Sequence, residues 1–98
     1  MNLQDLYFLK TCEYAPEQYD VRLEDGTLVG YIRCRWDHIE CHPYSLKTQE
    51  IKWKQMLYEC TLDSISDDIL VECGNKICQY HNELAFLNYL KDNYGFES

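Results

Sequence analysis

Residues 17–36 read EQYDVRLEDGTLVGYIRCRW, and this stretch decides the fold. Asp25-Gly26 is a two-residue turn signal typical of β-hairpins, because a type I′ turn needs positive φ at both central positions. Folding the chain about this turn collects apolar side chains on one face and charged or amphipathic ones on the other. Such alternation predicts an antiparallel sheet with one buried face. The predicted cross-strand pairs on that face are Leu23 with Leu28, Val21 with Gly30, and Tyr19 with Ile32.

A third strand, residues 38–42, is predicted to return through a turn at Trp36-Asp37. In that register Cys34 faces Ile39 on the inner face, and Arg33 faces Glu40 as a charge pair on the outer face. Pro43 then ends the ladder, because proline has no N–H to donate. The sequence therefore predicts a three-stranded meander over about 17–42.

Further elements are predicted on the C-terminal side of the meander. Residues 51–61 alternate as a strand would, although a helix within 45–62 is the alternative. Residues 68–80 are interpreted as a hairpin that turns at Asn75-Lys76, or at Gly74-Asn75 with a shifted register. Residues 82–94 predict a helix that begins at Asn82 and ends at Gly95. The apolar stripe of that helix is predicted to be Leu84, Leu87, Leu90 and Tyr94.

A short N-terminal helix is predicted within residues 2–12, where Leu3, Leu6 and Tyr7 follow helical spacing. With 98 residues the chain has room for one core. We therefore expect residues 1–98 to form a single α+β domain, an antiparallel sheet packed with helices.

The chain is acidic, with a formal net charge of −8. Residues 1–30 carry two basic against six acidic side chains (−4), residues 31–56 five against three (+2), and residues 57–98 two against eight (−6). Affinity for phosphate backbones rests on clustered lysine and arginine, so direct nucleic-acid binding is not expected. This balance favours a partner protein with a basic or nucleic-acid-binding surface, although acidity that serves only solubility is the alternative.

Six cysteines stand at irregular spacings, and several of them lie within apolar alternation. Residues 1–10 lack the basic start and apolar run of a signal peptide, and no apolar span is long enough to cross a membrane. We therefore expect a cytoplasmic protein with free, mostly buried thiols. The disulfide framework of a small secreted domain is the alternative.

No pattern of catalytic residues or of cofactor-binding loops is present, so an enzyme is not expected and no cofactor is predicted. Cys73, Cys78 and His81 carry zinc-type ligands within nine residues, and a zinc-stabilised domain is one alternative. No CxxC pair accompanies them. Buried cysteines and a surface histidine are the simpler interpretation.

Two surfaces are candidates for binding a partner. The first is acidic and consists of Asp63, Asp67, Asp68, Glu72 and Glu83. It could occupy a groove that otherwise holds a phosphate backbone. The second, the aromatic-basic cluster, consists of Tyr31, Arg33, Arg35, Trp36 and Trp53. Arginine and aromatic side chains anchor interfaces, and they also stack and pair small anionic ligands such as nucleotides.

Together these observations predict a non-enzymatic binding protein that inhibits or modulates another protein. In size, acidity and lack of motifs the chain is similar to small phage or mobile-element proteins that inhibit host defence enzymes, although no residue pattern carries that similarity. A small-ligand or nucleotide-sequestering protein is the alternative. Exposed sheet edges also leave homodimer formation open.

Overall fold

The computed structural model describes residues 1–12 and 17–95. Within them, five antiparallel strands form one sheet in sequential order, β1-β2-β3-β4-β5, and a long helix follows. The predicted α+β class is confirmed. The strands are β1 (Tyr7–Cys12), β2 (Glu17–Arg22), β3 (Leu28–Arg35), β4 (His38–Pro43) and β5 (Tyr58–Cys60), and the helix is α1 (Asp67–Tyr94).

The central meander of β2, β3 and β4 has nearly the predicted register. Val21 pairs with Gly30 and Tyr19 with Ile32, as the alternation requires. Between β3 and β4, the predicted pairs of Cys34 with Ile39 and Arg33 with Glu40 are also present. The pair of Leu23 with Leu28 is wrong, because a bulge beyond Val21 sets Leu28 opposite Arg22 instead.

The backbone geometry predicted for the Asp25-Gly26 turn occurs in the other hairpin instead. Of the Asp25-Gly26 pair only Gly26 has positive φ, at 92°. The Leu23 N–H donates a hydrogen bond to the Thr27 carbonyl at 2.9 Å, so the loop consists of residues 24–26 and is longer than the predicted two-residue turn. Positive φ at both central residues occurs at Trp36 (52°) and Asp37 (59°). The two-residue turn with that geometry therefore lies between β3 and β4.

Helix α1 replaces the hairpin that was predicted at 68–80, and that prediction is wrong. The helix begins after Ser66, whose hydroxyl accepts a hydrogen bond from the Ile69 N–H at 3.4 Å. Two acids, Asp67 and Asp68, occupy the first turn, where the positive end of the helix dipole favours them. The helix ends as predicted, with Gly95 in the left-handed region at φ 68°.

Two other predicted elements are shorter than expected. The N-terminal helix is only a 3-10 turn at Leu3–Asp5, and the chain then continues as β1 paired with β2. The strand predicted at 51–61 is present only as β5, apart from a bridge between Ile51 and Tyr44. In residues 7–12, pairing with β2 overrides the local helical spacing.

The core lies between the sheet and the first half of α1. Its helix side is formed by buried residues spaced four apart, namely Ile69, Cys73, Ile77 and the histidine His81. On the sheet side, Val21, Ile32, Ile39 and Cys41 are fully buried. Cys34 therefore faces inward, as predicted, and Cys41 lies on the same inner face.

The second half of α1 does not cover the sheet. A 28-residue helix is about 42 Å long, more than an eight-residue strand spans, so its end extends past the sheet. Leu84, Leu87 and Tyr94, predicted to form the buried stripe, are exposed, and Leu90 is only half-buried. That predicted stripe is wrong.

None of the helices within residues 1–12 and 17–95 combines the length and the apolar character needed to cross a membrane.

Candidate functional site

A continuous stripe of solvent-facing side chains runs along the whole of α1. Its positions recur at spacings of three and four, so they share one side of the helix, away from the side that is buried on the sheet. We call this stripe the outer face of α1. It consists of Asp68, Glu72, Lys76, Gln79, Glu83, Phe86, Leu87, Leu90 and Tyr94.

The N-terminal half of the outer face is acidic. Asp68, Glu72 and Glu83 stand on it against one basic side chain, Lys76, and all are exposed. Gln79 donates a hydrogen bond to Glu83 at 3.1 Å, so these two side chains lie along the stripe. The acids are therefore set out in a row along a rigid element.

Only part of the predicted acidic surface belongs to this row. Asp63 lies in the bend before the helix, outside the stripe. Asp67 is in the first turn but about 100° around the helix from Asp68, because successive helical residues are rotated by that amount. Three of the five predicted acids are thus brought together, and two are not.

The C-terminal half of the outer face is apolar and aromatic. Phe86 is 59% exposed, Leu87 55% and Tyr94 66%. Beside the stripe, Tyr89 is also exposed and makes an edge-on ring contact with Tyr94 at 6.2 Å between centroids. Large apolar side chains grouped on a solvent-facing stripe are typical of an interaction surface.

Within the aromatic-basic cluster, Tyr31 and Arg33 are engaged in contacts inside the domain, whereas Trp53 is 51% exposed. Segment 44–57 leaves β4 and returns to β5, placing Trp53 beside the sheet face that α1 does not cover. The Trp53 ring meets Tyr31 edge-on at 5.5 Å between centroids and lies 5.2 Å from the Arg33 guanidinium. Tyr31 is consequently only 7% exposed, so it is not available as a partner contact.

Arg33 is also paired internally. Its guanidinium contacts the Glu40 carboxylate at 2.9 Å across β3 and β4. Burial by itself would raise the pKa of Glu40, but the hydrogen bond and charge of Arg33, together with His42, hold that pKa below its usual value. This pairing stabilises the sheet and leaves Arg33 little capacity to bind a ligand anion.

His42 lies on the same sheet face as Arg33 but is buried. It is 2% exposed, because Trp53 packs against it at 5.2 Å between ring centroids. Its Nδ1 is 2.9 Å from the Gln55 carbonyl oxygen, which can only accept, so Nδ1 carries the proton and donates. His42 is thus a structural anchor for segment 44–57.

Arg35 and Trp36 remain open at the tip of the hairpin between β3 and β4. Trp36 is 86% exposed, and the Arg35 guanidinium lies 4.2 Å from its ring centroid. With Arg33, they border a shallow hollow of about 300 Å³. The predicted cluster is therefore divided into an engaged part, where the half-exposed Trp53 packs on Tyr31 and Arg33, and an open tip.

A deeper cleft lies between the middle of α1 and residues 44–52. It has a volume of about 410 Å³, and we call it the lysine cleft, after Lys47 and Lys52. Tyr80, His81, Leu84 and Asn88 line it from the helix side. Sequence reasoning did not find this site, because its two walls are about thirty residues apart and neither carries a motif.

The buried thiols show no sign of activation. Burial raises the pKa of Cys34 and of Cys78, and the pKa of Cys41 is raised by its contact with Cys73 and by burial. A raised pKa keeps the thiol protonated and weakly nucleophilic. Within residues 1–12 and 17–95, no group of three or more His, Cys, Asp or Glu residues is placed to hold a metal ion. Cys73, Cys78 and His81 line the buried side of α1, so the cysteines are buried as expected but the expectation of a surface histidine is wrong.

Three of the features described above have a geometry suited to binding, namely the outer face of α1, the hairpin tip and the lysine cleft. Comparison with known proteins gives no match to a family model, to a curated protein sequence or to a solved structure.

Proposed function

We propose that this chain is a non-enzymatic protein that binds, and thereby inhibits or modulates, a partner protein through the outer face of α1. The observation that carries the proposal is the continuity of the stripe, which is acidic over its first half and apolar over its second. Helices that present such a face commonly dock into a groove of a partner.

The two halves of the stripe have different tasks in this proposal. Asp68, Glu72 and Glu83 attract a basic surface at long range and orient the encounter. Phe86, Leu87 and Tyr94 then enter an apolar pocket, where desolvated aromatic and aliphatic side chains contribute most of the affinity. The partner is thus a different protein with an apolar groove and a basic rim.

A second copy of this chain fits the outer face less well. Each copy carries a net charge of −8, so two copies repel each other. The basic rim that the acidic half requires is also missing from the outer face itself, where Lys76 is the one cation of the acidic half.

The experiment begins with a photo-cross-linking side chain, p-benzoylphenylalanine, at Leu87. The same side chain at Leu62, which is 47% exposed but lies outside α1, is the control. A protein that cross-links from position 87 and not from position 62 is then purified, and its dissociation constant is measured by calorimetry.

Two double variants test the acidic and apolar halves of the outer face separately, and a third is the control for the acidic half. Asp68→Asn with Glu72→Gln should weaken binding about 3- to 10-fold at low salt, and less at high salt, because partly screened charge pairs contribute modestly. The matched control, Asp63→Asn with Asp67→Asn, removes the same charge away from the outer face and should change little. Phe86→Ala with Leu87→Ala should weaken binding by at least about tenfold.

Three outcomes would overturn the proposal. One is cross-linking of position 87 to a second copy of the chain, with a dimer in sedimentation. Another is equal loss of affinity in the Asp63/Asp67 control. The third is unchanged affinity when Phe86 and Leu87 are truncated.

A further inference from the structure

The lysine cleft is a positively charged site on an acidic protein. Lys47 and Lys52 line it, and none of the described residues that line it is acidic. Among the ion pairs formed within the described parts of the chain, none involves either lysine. On a chain with a net charge of −8, two ammonium groups in one cleft are a local exception, and such charge attracts an anion.

Lys52 is held at the cleft by Tyr80. Its Nζ donates a hydrogen bond to the Tyr80 hydroxyl at 3.3 Å and lies 5.9 Å from the centroid of that ring. Because Tyr80 accepts this bond, its own O–H hydrogen is free to donate. An ammonium and a phenol donor side by side suit a phosphate group.

His81 adds a buried acceptor. It is 4% exposed, and its Nε2 donates to the Val29 carbonyl at 2.8 Å, whereas the unprotonated Nδ1 has no hydrogen-bond partner among residues 1–12 and 17–95. Burial lowers the pKa of His81, and the nearby charge of Lys52 acts in the same direction, which keeps the ring neutral. Buried acceptors are normally paired, so Nδ1 can accept a hydrogen bond from a bound molecule once the ring turns toward the cleft.

The rest of the cleft accepts an apolar body. Leu84 and Ala85 of α1 face Leu46 across it, and Asn88 offers both a donor and an acceptor. Its volume of about 410 Å³ falls within the range of small-molecule sites.

We propose that the lysine cleft binds a small phosphorylated molecule with a planar apolar body, of the class of the nucleoside monophosphates. Lys47, Lys52 and the Tyr80 hydroxyl hold the phosphate. Leu46 and Leu84 contact the base, and a shift of the His81 ring lets Nδ1 accept from an exocyclic amine. This site is separate from the outer face of α1, so failure of either proposal leaves the other standing.

The test is an NMR titration of the ¹⁵N-labelled chain with AMP, GMP, CMP and UMP, and with inorganic phosphate and adenosine as partial ligands. We expect at least one nucleotide to shift the amide signals of Lys52, Leu84 and Asn88 saturably, with a dissociation constant below about 1 mM. Inorganic phosphate and adenosine should each bind at least about tenfold more weakly, because each makes only part of the contacts.

Variants locate the binding. Lys52→Gln should weaken it by at least about tenfold, since it removes a charge-assisted contact with the phosphate. Lys54→Gln is the matched control, because Lys54 is exposed two residues away and does not line the cleft. Leu84→Trp should block binding by filling the cleft. In the absence of ligand, unchanged amide signals from residues outside the cleft show that each variant folds.

The proposal is overturned if no nucleotide shifts these signals at a concentration of about 10 mM, ten times the expected upper limit of the dissociation constant. It is also overturned if Lys54→Gln weakens binding as much as Lys52→Gln, or if inorganic phosphate binds as tightly as every nucleotide. Shifts centred on Arg35 and Trp36 would place binding at the hairpin tip and would likewise contradict it.

Discussion

A β-carbon at Gly30 would lie 2.8 Å from Cγ1 of Ile77, so α1 packs on the bare backbone of β3. Both residues are buried, and Ile77 is fully enclosed, so its side chain has no free space into which to turn. The absence of a side chain at Gly30 therefore sets how closely the helix approaches the sheet. A larger residue there would push the helix away or distort its contact.

Gly30→Ala is accordingly expected to destabilise the fold by about 1–3 kcal/mol, the usual cost of an added methyl group in a filled core. Urea unfolding measures the change. Ile77→Val alone should cost about 0.5–1.5 kcal/mol. Ile77→Val removes the methyl group nearest to Gly30, so the double variant Gly30→Ala with Ile77→Val should lose less stability than the two single variants lose in sum. Strict additivity would show that the two positions do not touch.

The exposed half of α1 predicts a contrast in stability. Leu87→Ala should change the free energy of unfolding by no more than about 0.5 kcal/mol, since Leu87 is exposed. Ile77→Ala, on the buried side of the same helix, should lower the free energy of unfolding by about 2–5 kcal/mol, because it opens a cavity in the core. Equal costs in the two variants would mean that the second half of α1 is packed against something within the domain.

Stability should fall as the pH is lowered through the range just below 6.5. The pKa of His81 is lowered from its usual 6.5 by burial, so the unfolded chain binds a proton at a higher pH than the folded chain does. The stability contributed by neutral His81 is present above 6.5 and is lost as the pH falls towards the lower folded pKa. The slope due to one proton is at most about 1.4 kcal/mol per pH unit.

Urea unfolding at pH 7.5 and 5.5 measures this effect, with His81→Gln as the comparison. The glutamine amide can still donate to Val29 but does not titrate, so the variant should lose part of the pH dependence. Glu40 does not interfere, because its lowered pKa places its contribution below 4.5. A variant with the same pH dependence as the natural chain would exclude His81 as the cause.

The hairpin tip should become more stable when Trp36 is replaced. Trp36 has φ 52°, a left-handed conformation that asparagine tolerates better than other non-glycine residues. Trp36→Asn is expected to raise the melting temperature, with a gain of up to about 1 kcal/mol. Trp36→Ala removes the same ring but keeps the strain, so it should show no such gain. A loss of stability in Trp36→Asn would indicate that the ring contact with Arg35 outweighs the strain.

The meander could be predicted because its signals are local. The alternation through Val21, Tyr31 and Ile32, with turn residues at Asp25-Gly26 and Trp36-Asp37, specifies which strands neighbour each other and in what register. Period-two alternation permits few other pairings once one face is buried. The bulge that moved Leu28 was not predictable, since it depends on how the loop closes.

Helix α1 was missed over its first half because two periodicities coincide there. Ile69, Val71 and Cys73 alternate as a strand would, while Ile69, Cys73 and Ile77 are also spaced as one helix face. Gly74 next to Asn75 favoured a turn. In the structure this segment is helical, so Val71 is exposed instead of sharing a buried face with Ile69 and Cys73. Gly74 packs closely on β1, where a β-carbon would lie 3.0 Å from Phe8.

The sequence by itself determined the antiparallel meander, the buried face of its central strands and the uneven distribution of charge, because each of these follows from neighbours in the chain. Only the tertiary structure decided that Trp53 closes over Tyr31 and that Lys52 meets Tyr80. It also decided that the acids of α1 continue into an exposed apolar stripe. Those relationships join residues far apart in sequence, or depend on which side of a helix the sheet leaves uncovered, and no local pattern encodes them.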